Sequence, residues 1–146
     1  MNQQFPVALH ILGFLASRDG EPLTSEIMAD TYGTSPVVLR RVLTKLQRAG
    51  LVETRRGAGG GSLLARSADN ITLLDAYAAV SDDPQLLCRH PDECSNPVAA
   101  ALGRFVNGVM GDAEQAMLAR LDAVSIAEMD AQVRRHVIAA VRQRRR

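Results

Sequence analysis

The sequence has few aromatic side chains and few cysteines, and these shortages narrow the range of folds. Phe and Tyr together make 3% of the 146 residues, and Trp does not occur. A core must therefore consist mainly of Leu, Val, Ile, Ala and Met, a composition that favours helices over a β-sandwich. Two cysteines are too few for a disulfide scaffold. An apolar fraction of 47% is sufficient for a core in one domain, or in a small domain with an accessory helix.

The sequence also lacks the segments that direct a chain into a membrane or out of the cell. No apolar run reaches the ~18 residues that a membrane span requires. The N-terminus has neither the basic start nor the small-residue cleavage site of a secretory signal. We therefore expect a cytoplasmic protein with no membrane partner.

Acidic side chains are almost missing from one segment, although the net charge of the whole chain is only +1. Residues 34–66 contain seven Arg or Lys side chains and one acidic side chain, Glu53. Residues 67–141 contain five basic and eleven acidic side chains. A basic patch confined to one segment indicates a local surface for a polyanion. Such clusters also arise by chance, so charge supports this interpretation without deciding it.

The first 50 residues predict three helices. Apolar side chains recur at helical spacing between residues 5 and 18. Thr24 can cap a second helix, in which Ile27 and Ala29 are predicted to face inward. The tight turn at residues 33–35 has the length expected inside a helix-turn-helix. Ser35 as the cap and Pro36 at the first helical position then predict the start of a third helix.

The third helix is predicted to have an apolar face and a purely cationic polar face. Leu39, Val42, Leu43 and Leu46 fall on one side of a helical wheel. The opposite side carries Val37, Arg41, Thr44 and Arg48, flanked by Arg40 and Lys45. A solvated helix face normally mixes both signs, because opposite charges one turn apart stabilise a helix. This face therefore favours contact with an anionic partner.

A glycine-rich hairpin is predicted directly after the third helix. Residues 51–56 and 62–65 have the pattern of two strands, and four of the five residues 57–61 between them are glycines. Glycines permit positive φ and close approach to another backbone. A phosphate-binding loop is a poorer interpretation, since the Gly-Lys-Ser/Thr ending is missing. A plain turn without contacts is also open, but the adjacent Arg55 and Arg56 favour contact with DNA.

Two further helices are predicted near the C-terminus. The helix from about 97 to 122 has an apolar stripe too wide for one small domain to cover, which indicates a partner subunit. Ser125 and Glu128 have the spacing of a capping box that begins a short final helix. The buried face of this last helix is predicted to be Ile126, Met129, Val133 and Val137. Residues 142–146 form a basic tail that is either solvated or in contact with phosphates.

The chain resembles the Rrf-type winged-helix transcriptional regulators, the group that includes IscR, NsrR and CymR. The matching runs are LRRVLTKLQRAGLVETRRGAGGG, SLLAR and ITLLDAYAAV. The resemblance implies a mainly α fold with a small β-hairpin. We expect a winged helix-turn-helix DNA-binding domain over 1–81, a cysteine-containing loop over 82–97, a helical dimerisation region over 98–141 and the tail over 142–146.

This resemblance implies a homodimer, paired through residues 98–121, that binds a pseudo-palindromic operator in double-stranded DNA and represses transcription. Val37, Arg41 and Thr44 are predicted to face base edges. The neighbouring Arg and Lys side chains are predicted to neutralise phosphates. The full set of predicted DNA-binding residues is Ser35, Val37, Arg40, Arg41, Thr44, Lys45, Arg48, Arg55, Arg56, Gly59 and Gly60.

Many members of that group hold an iron–sulfur cluster through three cysteines, whereas this chain has only Cys88 and Cys94. With His90 they form a poor set of cluster ligands, so we expect no cofactor and no metal. Arg40 and Arg41 stand where cluster-binding relatives often carry an acidic residue, which is similar to the cluster-free branch. Some members of that branch respond to oxidants through thiols, so Cys88 and Cys94 are either a redox switch or ordinary loop cysteines.

Three alternatives to a thiol-responsive regulator remain at this point. One is a regulator that senses through an iron–sulfur cluster, and another is a winged helix that binds only proteins. An enzyme is the third, but no Ser-His-Asp or Cys-His pair has supporting context. The three histidines, His10, His90 and His136, lie in unrelated segments. We therefore expect no catalytic residues.

Overall fold

A computed structural model describes residues 3–18, 20–82 and 95–144. These residues form six α-helices, a two-stranded antiparallel hairpin and a 3₁₀ turn, which confirms the predicted fold class. In chain order they are α1 (Gln4–Ser17), α2 (Ser25–Tyr32), α3 (Pro36–Arg48), β1 (Val52–Arg55), β2 (Gly61–Leu64), the 3₁₀ turn (Ala68–Asn70), α4 (Leu73–Val80), α5 (Pro97–Asp122) and α6 (Ile126–Arg144). None of the described helices is long and apolar enough to cross a membrane.

The core lies where α1, α3 and α4 pack against one another. Leu12, Val42, Leu46 and Ala76 come from these three helices and are completely buried. The side chains are aliphatic, as the shortage of aromatic residues predicts. Phe5 packs edge-on against Tyr77, with ring centroids 5.4 Å apart, at the margin of this core. The core therefore fixes α3 from its inner side and leaves its outer side exposed.

Local capping interactions set the tight turn between α2 and α3. The Thr24 hydroxyl accepts a hydrogen bond from the Ile27 N–H at 3.3 Å, and the Ser35 hydroxyl accepts one from the Val37 N–H at 3.3 Å. Gly33 closes α2 in the left-handed conformation (φ 71°, ψ 34°), which glycine adopts without a steric cost. The turn predicted from residues 33–35 is therefore present.

The inward face of α2 differs from the prediction. Ala29 is buried as expected, but Ile27 is 51% exposed and Met28 takes its place in the core. Successive helical residues point about 100° apart, so burying Met28 and Ala29 together turns Ile27 toward solvent. The prediction for Ile27 was therefore wrong.

The hairpin is attached to the segment that precedes α2. β1 pairs with β2 in a register that places Val52 opposite Leu64 and Arg55 opposite Gly61. Leu23 adds a bridge at the edge of β2, where its N–H and carbonyl exchange hydrogen bonds with Ser62 at 2.9 and 2.8 Å. A Cβ on Gly61 would lie 2.7 Å from the Leu23 carbonyl oxygen. Glycine at this position thus permits the close approach that fixes the hairpin against the helical core.

α5 presents much of its apolar stripe to solvent. Its first turn is capped by Asn96, whose side-chain oxygen accepts hydrogen bonds from the N–H groups of Val98 and Ala99. Gly103 is the buried residue of the helix. Phe105 is 70% exposed and Val109 52% exposed. The wide stripe expected from the sequence is present, and within one chain it remains uncovered.

α6 begins inside the domain and then extends beyond it. Its first residue, Ile126, is completely buried and donates its N–H to the Ile71 carbonyl at 2.8 Å. From Ala131 onward the described side chains are exposed, including Val133 and Val137, which were predicted to be buried. This part of the prediction fails in the single chain because α6 runs past the elements that cover its first turn. With 19 residues up to Arg144, α6 is also longer than the short helix expected before a separate tail at 142.

Candidate nucleic-acid interface

The two faces of α3 are divided as the helical wheel predicts. Leu39, Val42, Leu43 and Leu46 are buried. The opposite face is exposed, and on it Val37 has 71% of its surface accessible. Its exposed polar members are Arg40, Arg41, Thr44 and Arg48. The Thr44 hydroxyl donates to the Arg40 carbonyl at 2.9 Å, which leaves its lone pairs and methyl group to face outward.

Arg40 is held by two residues of α2. Its Nη2 lies 2.6 Å from the Oε1 atom of Glu26, and its Nε donates to the Ser25 hydroxyl at 3.3 Å. The hydrogen bond from Arg40 is the largest of the interactions that lower the pKa of Glu26 to about 2. Glu26 is therefore ionised throughout the pH range in which duplex DNA is stable. The Arg40 side chain, which is predicted to contact a phosphate, is thus already engaged in an ion pair within the protein.

Lys45 is also engaged, on the other flank of α3. Its ammonium lies 2.7 Å from the Oδ1 atom of Asp82 and 3.3 Å from the Val80 carbonyl oxygen. Its side chain is only 22% exposed. A lysine that donates to a helix C-terminus and to a carboxylate joins α3 to the end of α4. Arg66, beyond the hairpin, is paired in the same way with Asp75 at 3.2 Å.

Four arginines of the basic segment remain without an ion pair within the described part of the chain: Arg41, Arg48, Arg55 and Arg56. Arg41 and Arg48 are two turns apart on the outer face of α3, and Arg55 and Arg56 lie at the end of β1 where the hairpin tip begins. All four are exposed. The side-chain amide of Gln47 donates to the Thr54 hydroxyl and connects α3 with β1 between these two pairs.

The other predicted contacts have local roles that the structure describes. Ser35 caps α3. Gly60 donates its N–H to the Gly57 carbonyl at 2.9 Å, so this N–H serves the turn itself. Gly59 is exposed at the hairpin tip with a φ of 73°. Both glycines therefore shape the tip that presents Arg55 and Arg56.

Sequence reasoning missed the acidic partners of the basic segment. Glu26 meets Arg40 across 14 positions of the sequence. Asp82 meets Lys45 across 37 positions. A separation of this size along the sequence does not predict a contact, because the contact depends on how the helices pack.

The cysteines lie outside the described residues, as does His90. The expectations for Cys88 and Cys94 therefore stay predictions. Within residues 3–18, 20–82 and 95–144 no group of three His, Cys, Asp or Glu side chains could hold a metal ion.

An exposed helix of a helix-turn-helix, joined to a glycine-tipped hairpin and lined by arginines that pair with no described carboxylate, defines a winged helix-turn-helix DNA-binding protein. Residues 1–132 match the model of the Rrf2 family, described as iron-dependent transcriptional regulators. The chain belongs to the Rrf2 family of DNA-binding transcriptional regulators, and it is not an enzyme.

Two relatives illustrate the similarity. The HTH-type protein YwnA of Bacillus subtilis is 42% identical over 97 residues, which cover 66% of this chain and 69% of YwnA. The HTH-type transcriptional repressor NsrR of Streptomyces coelicolor is 30% identical over 119 residues, covering 77% of this chain and 74% of NsrR.

Solved structures share the fold. CymR of B. subtilis, described as the global cysteine regulator, superposes with a TM-score of 0.70 at 24% identity, over 90% of this chain and 96% of CymR. IscR of T. potens superposes with a TM-score of 0.72 at 23% identity, over 91% of this chain and 87% of IscR. At these identities the likeness concerns the fold alone.

The family description names iron, and the donor set of this chain does not fit an iron–sulfur cluster. Such clusters are typically held by four thiolates, in some cases with two histidines in place of two cysteines. The whole sequence supplies two cysteines, and His90 is the one histidine near them. No step of the function proposed below passes through iron.

Proposed function

We propose that the protein is a homodimeric repressor that binds a pseudo-palindromic operator through α3 and the hairpin of each subunit. One observation carries this proposal: the four arginines that form no ion pair among the described residues belong to α3 and to the hairpin, whereas the other three basic residues of that segment are neutralised by carboxylates. Guanidinium groups donate strong, often bidentate hydrogen bonds to phosphates and to guanine. The repressor role is favoured by the likeness to NsrR of S. coelicolor, which is named a repressor.

We assign base reading and backbone binding to different side chains. Val37, Arg41 and Thr44 lie on the exposed face of α3 that would enter the major groove. An arginine there can bridge the O6 and N7 atoms of guanine, and a valine can meet a thymine methyl group. Arg48, Arg55 and Arg56 would bind phosphates, which set position rather than sequence.

The homodimer is supported by the uncovered stripe on α5. Val98, Leu102, Phe105 and Val109 are all exposed and follow the alternating spacing of four and three residues that forms a helix-pairing seam. Exposed apolar side chains in such a row commonly mark an interface between subunits. A two-fold dimer would place two α3 helices against half-sites about 34 Å apart, or a multiple of that distance.

Selection of bound sequences from random duplex DNA tests the operator directly. We expect the enriched sequences to contain two inverted half-sites separated by a whole number of helical turns. A single half-site without an inverted partner, or no enrichment over the starting pool, would contradict the proposed binding by a dimer.

Substitution of Arg41 should relax base preference, because this side chain is assigned to a base edge. Arg41→Ala should lower operator affinity by about 1–3 kcal/mol and flatten the preference at one position of each half-site. Arg56→Ala, the matched control, should weaken binding to all sequences about equally. Measuring both variants against the operator and its single-base changes checks the assignment. Identical profiles for the two variants would refute it.

We also propose that the signal is an oxidant sensed through Cys88 and Cys94. The support comes from the sequence: the chain has these two thiols alone, six positions apart in one polar segment. Exchange of both for serine should remove any effect of oxidant on operator affinity. Persistence of the oxidant response in the double variant would overturn this part of the proposal.

A further inference from the structure

A carboxylate lies directly beside the proposed DNA-reading helix. Glu26 is in the first turn of α2, and its Oε1 atom accepts hydrogen bonds from Arg40 at 2.6 Å and from the Ser25 hydroxyl at 3.0 Å. Arg40 Nε in turn donates to the same hydroxyl at 3.3 Å. The three side chains form a closed set in which the arginine and the glutamate cancel each other's charge.

The pair is nevertheless open to an approaching anion. The side chain of Arg40 is 58% exposed and that of Glu26 is 62% exposed. In a helix-turn-helix the helix that precedes the recognition helix crosses the DNA backbone. Glu26 therefore stands where phosphates would pass, and it holds the guanidinium that would otherwise bind one of them.

Two outcomes are available to Arg40 when DNA approaches. If Arg40 keeps its ion pair with Glu26, the pair contributes no net charge to binding. If it turns to a phosphate, it leaves an unpaired carboxylate facing the backbone, and like charges repel. An exposed ion pair contributes little to folding stability, so removing the charge of Glu26 should leave the fold intact. In both outcomes Glu26 lowers the attraction to DNA of any sequence.

We propose that Glu26 keeps Arg40 from the DNA backbone and thereby limits the sequence-independent part of DNA binding. This proposal rests on the proposed function, because it requires α3 to dock on DNA. A phosphate contact carries no sequence information, so an additional one would strengthen binding to any duplex. By holding Arg40, Glu26 lowers this sequence-independent attraction and leaves recognition to the side chains assigned to base edges.

The test compares wild-type protein with Glu26→Gln on the selected operator and on a duplex of scrambled sequence, each over a range of salt concentrations. Glutamine keeps the shape and removes the charge. Each additional phosphate contact steepens the plot of log affinity against log salt by about 0.9. Over the decade from about 1 M salt, where such a contact contributes nothing, to about 0.1 M, the affinity of Glu26→Gln for scrambled DNA should therefore rise roughly eightfold per subunit above that of the wild type. Operator affinity should rise by a similar factor, because a phosphate contact does not depend on sequence.

Two further variants separate this effect from a general change in charge. Adding Arg40→Ala to Glu26→Gln should return the salt slope and the scrambled-DNA affinity to wild-type values. Glu128→Gln removes the same charge from α6 and should leave both unchanged. Thermal unfolding of each variant shows whether the fold persists.

Unchanged binding to scrambled DNA in Glu26→Gln would overturn the proposal. Weaker binding together with a lower melting temperature would also overturn it, because the pair would then serve only to hold α2 against α3. Wild-type protein that binds neither duplex would instead contradict the proposed function itself. The two failures are therefore distinguishable.

Discussion

Operator affinity is expected to fall about a thousandfold between about 50 and 200 mM salt. Three arginines assigned to phosphates, Arg48, Arg55 and Arg56, give six contacts in a dimer. Each phosphate contact contributes about 0.9 to the slope of log affinity against log salt, so the slope should be about −5. The sequence alone predicts a steeper value, because it adds Arg40 and Lys45 to the phosphate contacts. Ten contacts in a dimer would give a slope of about −9 and a loss of roughly 10⁵ over the same range.

The two slopes, about −5 and about −9, are far enough apart for a binding titration to decide between them. Fluorescence anisotropy of a labelled operator at several salt concentrations measures the slope directly. Arg48→Ala should reduce the slope by about 1.8 per dimer. Lys45→Ala is the control, since this ammonium is occupied by Asp82 and the Val80 carbonyl, and it should leave the slope near the wild-type value. A wild-type slope near −9 would show that the internal ion pairs open on DNA, and a slope near zero would argue against phosphate contacts altogether.

Placing a charge in the stripe of α5 is expected to separate the subunits and to lower operator affinity by about 10³ or more, to the level of non-specific binding. Phe105→Glu is the substitution of choice. Phe105 is 70% exposed in the single chain, so the change does not disturb the core of the winged helix-turn-helix domain. In a dimer the two carboxylates would be buried without partners, which is costly.

Sedimentation equilibrium measures the change in mass, and circular dichroism shows whether each chain remains helical. Gln115→Glu is the matched control, because it adds the same charge to an exposed position of α5 outside the stripe. It should remain dimeric and bind the operator normally. A dimer that persists in Phe105→Glu would exclude this stripe as the subunit interface.

The features that sequence predicted well are those with local causes. The caps at Thr24, Ser35 and Ser125 and the bounds of α5 follow from residues within one helical turn. The capping box of Thr72 and Asp75 also has a readable signature, although it was overlooked. Membership of the family was likewise visible in the runs around α3 and the hairpin.

The features that sequence could not supply depend on packing. Nothing local indicates that Arg40 meets Glu26 or that Lys45 meets Asp82, and these pairs divide the basic segment into occupied and unoccupied cations. Ile27 shows the same limit on a smaller scale, since the choice between Ile27 and Met28 for the core is made by the neighbours of α2. Charge counts therefore do not distinguish free cations from those already paired with a carboxylate.

The junction between α4 and α6 has a consequence for the spacing of operator half-sites. At this junction the N–H of Leu73 donates to the Val124 carbonyl at 2.9 Å and that of Ile126 to the Ile71 carbonyl at 2.8 Å. The end of α5 is thus joined by main-chain hydrogen bonds to the start of a helix that packs against α3. In a dimer through α5, the distance between the two reading helices would be set by the main chain. Side-chain changes on the outer face of α3 can then alter which bases are read while the half-site separation stays constant.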